Sequence, residues 1–177
     1  MLYSNLDVTL RASFKSSVTR TIEFLLKATD YKFIQENISV VTTDFVHEVV
    51  KELMRIKDFQ KWGDTDFEID DEDMKVLILE IESEIRKRKP TEKQLSYYYG
   101  LLQELKLEEK VSDDYFVFMK RLSELIELSR SQKPATPKQI QTIKKLWKNT
   151  FGEELEVADN LSQQKIQDLF NIVNNAH

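Results

Sequence analysis

The sequence predicts an all-α protein, and three observations carry the prediction. Apolar residues recur at helical spacing over most of the chain, which marks amphipathic helices. Three Gly and three Pro among 177 residues are too few for the turn chemistry that a β protein needs about every ten residues. The second half also states one helical phrase twice. Pro90-Thr91-Glu92-Lys93-Gln94-Leu95-Ser96-Tyr97-Tyr98 is answered by Ala135-Thr136-Pro137-Lys138-Gln139-Ile140-Gln141-Thr142-Ile143. Each is followed by an apolar helical stretch and a second opening headed by Ser, Ser112 and then Ser162. The Thr91-to-Thr136 spacing is 45 residues and the Ser112-to-Ser162 spacing is 50, as expected of a duplicated helical hairpin.

Taken in order, residues 1–14 alternate at Leu6, Val8 and Leu10, which predicts a short strand or an extended arm. From Ser17 to about Ile34, Val18, Ile22, Leu25, Leu26 and Phe33 fit the inner face of a first helix. The link Ile38-Ser39-Val40-Val41 is β-branched and reads as extended. A second helix is expected from a Thr43 cap to about Lys61, with Phe45, Val46, Val49, Val50, Leu53, Met54 and Ile56 on one face and Gly63 as its terminator.

The third helix is the best signed. Asp70 to Asp73 crowd its first turn, where carboxylates meet unpaired backbone N–H groups. Val76, Leu77, Leu79, Ile81 and Ile85 supply its stripe, Arg86 to Lys89 complement its negative end, and Pro90 stops it. Two hairpins follow, about 91–107 with 112–130 and 136–151 with 162–175. Gln132-Lys133-Pro134-Ala135 reads as the linker between them, with Pro134 and Pro137 flanking the cap Thr136. The expected organisation is a helical unit over 1–89, a hairpin over 90–131 and a second over 132–177.

Composition narrows the function classes. Zero cysteines exclude disulfides, thiol catalysis and cysteine zinc sites. No window approaches the roughly 18 uncharged apolar residues of a membrane span, and the start lacks a secretory pattern. A soluble, cytoplasmic protein with no membrane contact is the expectation. The net charge of −5 is uneven: residues 64–85 hold ten acids against one Lys, while residues 133–148 hold five Lys and no acid.

The enzyme search finds no catalytic set. His47 has no second His one helical turn away, and the other histidine is His177. Glu48 and Glu52 stand one turn apart, as acids on helix surfaces often do. No phosphate-binding glycine loop or nucleophile elbow is present. No cofactor and no metal are expected. Asp64, Asp66 and Glu68 imitate a calcium loop, but Ile69 stands where Gly is required and Lys75 where Glu is required.

Two binding surfaces remain. Seven acids lie within Asp64–Asp73, and Asp64, Asp66, Glu68 and Asp70 could stand in for phosphates as a nucleic-acid mimic. A helix N-terminus already accounts for half of these acids and outweighs mimicry. On a helix from Pro137, Ile140, Ile143, Trp147 and Phe151 face inward, which leaves Lys138, Lys144, Lys145 and Lys148 on other sides. That face suits phosphates, with Trp147 adding stacking where its edge is open. No arginine fork is present to read bases, and a solvated helix face outweighs phosphate binding as the account of the lysines.

In Tyr97-Tyr98-Tyr99 the side chains point about 100° apart. Aligning the two phrases puts Tyr98 with Ile143 and Leu102 with Trp147, so Tyr98 belongs to the core and Tyr97 and Tyr99 are candidate contact residues. Ile166-Gln167-Asp168-Leu169-Phe170 is similar to the end of the bacterial sliding-clamp-binding peptide. Its apolar residues also fit a helix face, which is the preferred reading.

The openings Thr91-Glu92-Lys93-Gln94-Leu95 and Thr136-Pro137-Lys138-Gln139-Ile140 resemble a Thr-x-x-Gln-Ile helical module of uncharacterised phage and mobile-element proteins. These include the Mu-type phage family of unknown function and the ends of some phage single-strand annealing proteins. The likeness is closest over 135–175, through Leu146-Trp147 and Leu161-Ser162, and covers about a quarter of the chain, or half with the 90–128 copy. It implies a phage-like origin and a tail that works beside nucleic acid or its handling proteins.

The expected function is therefore a non-catalytic interaction protein of a phage or mobile element, acting in DNA metabolism or host takeover. Its partner would be a host or phage protein, and nucleic acid is a further candidate. The rival is an anti-CRISPR-like inhibitor that uses the 64–73 acids. Wide apolar faces on several helices would also suit a homodimer.

Overall fold

The computed structural model describes residues 3–55, 69–158 and 160–176. Among these residues it contains seven α-helices and no β-strand, in agreement with the all-α class. Residues 1–91 and 110–121 form one compact unit, and residues 92–109 and 122–177 form another.

The first unit holds α1 (Val8–Ala28), α2 (Thr43–Arg55), α3 (Asp71–Arg86) and the first turns of α5 (Tyr115–Gln132). The alternation at Leu6, Val8 and Leu10 does not make an extended arm. Tyr3–Asn5 is a single 3₁₀ turn, and α1 begins at Val8. The reason is Asp7, whose carboxylate accepts from the N–H groups of Thr9 (2.8 Å) and Leu10 (3.0 Å) and caps the helix. Leu6 is buried, whereas Val8 stands 73% exposed, so the alternation does not define a face.

Phe14, Val18, Ile22 and Leu26 then recur every four residues on the buried side of α1. The helix stops at Ala28, and Asp30 and Tyr31 adopt left-handed backbone angles (φ 51° and 57°). That turn shifts the phase of the chain beyond it. Ile34 is buried, and Phe33, expected inside, is 76% exposed.

Helix α2 is capped one residue earlier than expected. The Thr42 hydroxyl, not that of Thr43, accepts from the N–H of Phe45 (3.2 Å). Val46, Val49 and Leu53 are buried, while Met54, assigned to the same face, is 63% exposed. The expected continuation to Lys61 and the Gly63 terminator lie outside the described residues.

Asp70 caps α3 as expected, accepting from the N–H of Asp73 at 2.7 Å. The buried stripe is Met74, Leu77, Ile78, Ile81, Glu82 and Ile85. Val76 and Leu79, expected on that stripe, are 62% and 39% exposed. A strict three-and-four spacing starting at Met74 excludes both.

The second unit holds α4 (Glu92–Leu105), the remainder of α5, α6 (Pro137–Phe151) and α7 (Gln163–Asn175). Tyr98, Leu101 and Leu102 are buried on α4, which agrees with the alignment of Tyr98 to the buried Ile143. Helix α4 ends with Lys106 in the left-handed region (φ 56°), and the N–H of Leu107 reaches back to the carbonyl of Leu102. The cap of α5 is Asp114 rather than Ser112, since its carboxylate accepts from the N–H of Phe116 at 2.9 Å.

The stretch 132–135 is ordered by pairing. The N–H of Ala135 donates to Leu161 (2.7 Å) and that of Gln163 to Lys133 (2.9 Å), an antiparallel bridge at Pro134 and Ser162. Helices α6 and α7 therefore start side by side from one end.

Candidate functional site

Helix α6 is set by local chemistry. The Thr136 hydroxyl accepts from the N–H of Gln139 (3.2 Å), and the Gln139 side-chain carbonyl accepts from the N–H of Thr136 (2.8 Å). The Thr-x-x-Gln phrase is thus a reciprocal capping box, with Pro137 in the first turn. Gly152 ends the helix at φ 74°, where a side chain would be strained, and its N–H donates to Lys148.

The inner side of α6 determines where its lysines go. Ile143 is buried with Ile166 and Val173 of α7, and Ile140, Trp147, Leu161, Leu169 and Phe170 pack on them. Leu169 and Phe170 are thereby committed to a helix, which removes the extended form that a clamp-binding peptide needs. Phe151, expected inside, is 40% exposed. Its ring meets that of Trp147 at 4.5 Å with 50° between planes.

Lys138, Lys144, Lys145 and Lys148 are all exposed. At about 100° per residue they occupy a sector roughly 120° wide, extending about 15 Å along the axis. Lys148 pairs with Glu154, and this hydrogen-bonded carboxylate raises the lysine pKa above its ordinary value. Both partners are well exposed, so the pair is screened by water and easily exchanged.

Tyr97 and Tyr99 are 52% and 54% exposed, but they stand about 160° apart around α4 and do not form one face. Tyr98 is anchored by its hydroxyl, which donates to Glu109 at 2.5 Å. Of the proposed acidic mimic, only Asp70 is described, and its carboxylate is engaged as the α3 cap. Asp64, Asp66 and Glu68 lie outside the described residues. His47 sits 3.6 Å from Asp71, and no metal-holding group of three His, Asp or Glu occurs among the described residues. No helix among them is long and apolar enough to cross a membrane.

One constellation in the first unit was not foreseen. Glu82, 4% exposed, accepts from the Ser39 hydroxyl, from the N–H of Val40 (3.0 Å) and from Nε and Nη2 of Arg86 (3.0 and 2.9 Å). The same guanidinium donates to the Ile38 carbonyl (2.6 Å) and to Asp114, and lies 5.3 Å over the Phe116 ring. These groups border a groove of about 900 Å³ that also reaches Leu79 and Lys110. Glu82 and Arg86 satisfy each other, and their work is to hold the 38–40 segment and the start of α5 on α3. The spacing of Glu82 and Arg86 was legible as a helical pair; the contribution of Asp114, 28 residues on, was not.

No family model matches the chain, and no curated protein or solved structure matches it. The residues of α6 are therefore read on their own chemistry.

Proposed function

We propose that this chain is a non-catalytic interaction protein of a phage or mobile element, acting in DNA metabolism or host takeover. Its working surface is the outer side of α6, which meets the phosphates of nucleic acid alongside a host or phage protein. The observation that carries the reading is the placement of Lys138, Lys144, Lys145 and Lys148 on one exposed sector of a helix whose opposite side packs on α7. Lysines so placed act as point charges on a phosphate backbone and release its counterions, without reading sequence.

The test is binding of labelled DNA by fluorescence anisotropy across a salt series. The wild-type chain binds, and affinity falls linearly with the logarithm of salt. A variant with Lys138, Lys144, Lys145 and Lys148 all replaced by Glu keeps its helical circular dichroism and loses binding. Full retention of binding by that variant would sink the reading. Loss of activity against a host defence nuclease on neutralising Asp64, Asp66, Glu68 and Asp70, with the lysine variant unimpaired, would transfer the function to the anti-CRISPR alternative.

A further inference from the structure

The lysine sector of α6 is bordered on one side by an open aromatic ring. Phe151 lies within about 20° of Lys144 and about 60° of Lys148 around the helix axis. Along the axis Lys144, Lys148 and Phe151 follow one another at about 6 and 4.5 Å. Phe151 is 40% exposed, and the half-buried Trp147 backs its ring at 4.5 Å. Trp147 is itself packed in the α6–α7 core, so the exposed ring sits on a firm support.

Phe151 covers Trp147 at the core edge and leaves part of its ring open beside the lysines. A duplex gains nothing from that open ring, because its base faces are already stacked inside. An unpaired base offers a free π face, and a ring flanked by two cations holds that base while the cations hold its neighbouring phosphates.

We propose that this edge of α6 binds single-stranded nucleic acid in preference to duplex. Phe151 is the stacking platform, and Lys144 and Lys148 are the phosphate contacts. The proposal rests on the reading of the lysine sector as a phosphate surface, and it names the substrate class. Glu154 enters as a competitor: its carboxylate occupies Lys148 in the free protein and is displaced when a phosphate arrives.

The experiment uses the full chain with a fluorescein-labelled oligothymidine of 20 nucleotides and a labelled duplex of equal length. The wild type binds the single strand about tenfold more tightly than the duplex. Phe151→Leu, which keeps an apolar side chain on the core edge but removes the π face, loses roughly fivefold to a hundredfold on the single strand. It leaves duplex affinity and the salt slope unchanged. Lys144→Ala weakens both ligands and lowers the single-strand salt slope by about 0.7. Glu154→Gln strengthens binding roughly twofold to fivefold by freeing Lys148.

Equal affinity for strand and duplex, with Phe151→Leu silent on both, overturns the single-strand inference and leaves the phosphate surface standing. Absence of binding to either ligand overturns the surface itself. Fluorescence of Trp147, followed in a Trp62→Phe background, is quenched on binding in the first case expected and unchanged in the others.

Discussion

The body built from α1, α2, α3 and the start of α5 and the pair α6–α7 are stabilised by different means. Among the described residues, fifteen apolar side chains are buried together in the first, and three in the second. At roughly 1.5–3 kcal/mol for each buried side chain, burial dominates the body. The α6–α7 pair leans instead on a capping box, a glycine stop, the Ser162 cap and the bridge between 133–135 and 161–163. Burial joins residues far apart in sequence, whereas caps are written within four residues. The thinly packed pair is accordingly the one whose outer face is available for work.

The comparison is broken most severely at Arg86. Arg86→Ala leaves Glu82 buried without its countercharge and frees the 38–40 segment, so the body loses about 3–5 kcal/mol. Denaturant unfolding monitored by circular dichroism measures this, and amide exchange of α6–α7 is unaffected. Retention of full stability would show that the charge network adds nothing to the apolar core.

A smaller effect is expected in the other region. Thr136→Ala removes a cap hydroxyl that answers one N–H of the first turn, and costs about 1 kcal/mol. Exchange should accelerate in the first turn of α6 and at the Ala135 and Gln163 amides, with α1–α3 unchanged. Equal acceleration throughout would mean the two regions unfold as one.

The smallest effect is pH-dependent. Glu104 accepts from the Ser129 hydroxyl (2.6 Å) and from Lys133 (3.0 Å), and these two donors, the hydroxyl foremost, hold its pKa below the ordinary glutamate value. A depressed carboxylate stabilises above its unfolded value and loses that contribution as pH falls through its folded one. Acidification across that window therefore loosens the hold on Lys133. Melting temperature against pH reads it out. Glu104→Gln should remove this acid-linked drop, and an identical pH profile in the variant would dismiss the contact.

What was legible in the sequence follows the same division. Thr136 with Gln139, Ser162, Asp70 and the burial of Tyr98 were readable because each depends on neighbours within a turn or on a repeated phrase. The start of α1 was misread because one Asp7 carboxylate outweighed a three-residue alternation. Phe33 was misplaced because Asp30 and Tyr31 turn left-handed without a glycine to announce it. Tyr31 is buried against Phe116, and its phenol is pushed up to about 12, chiefly by burial. Its partner lies 85 residues away, beyond any local pattern. At the candidate site the lysines were visible as a charge run, whereas the exposure of Phe151 was not. Helical spacing alone sends it inward, and the stop at Gly152 leaves it at the open end.

The bridge between the segments that precede α6 and α7 has an electrical consequence. That bridge brings the starts of α6 and α7 close together, and each helix start carries about half a positive charge from its first-turn N–H groups. The backbone is therefore locally positive beside the 133–135 and 161–163 segments. Side-chain replacements on α6 act on top of that field and cannot abolish it.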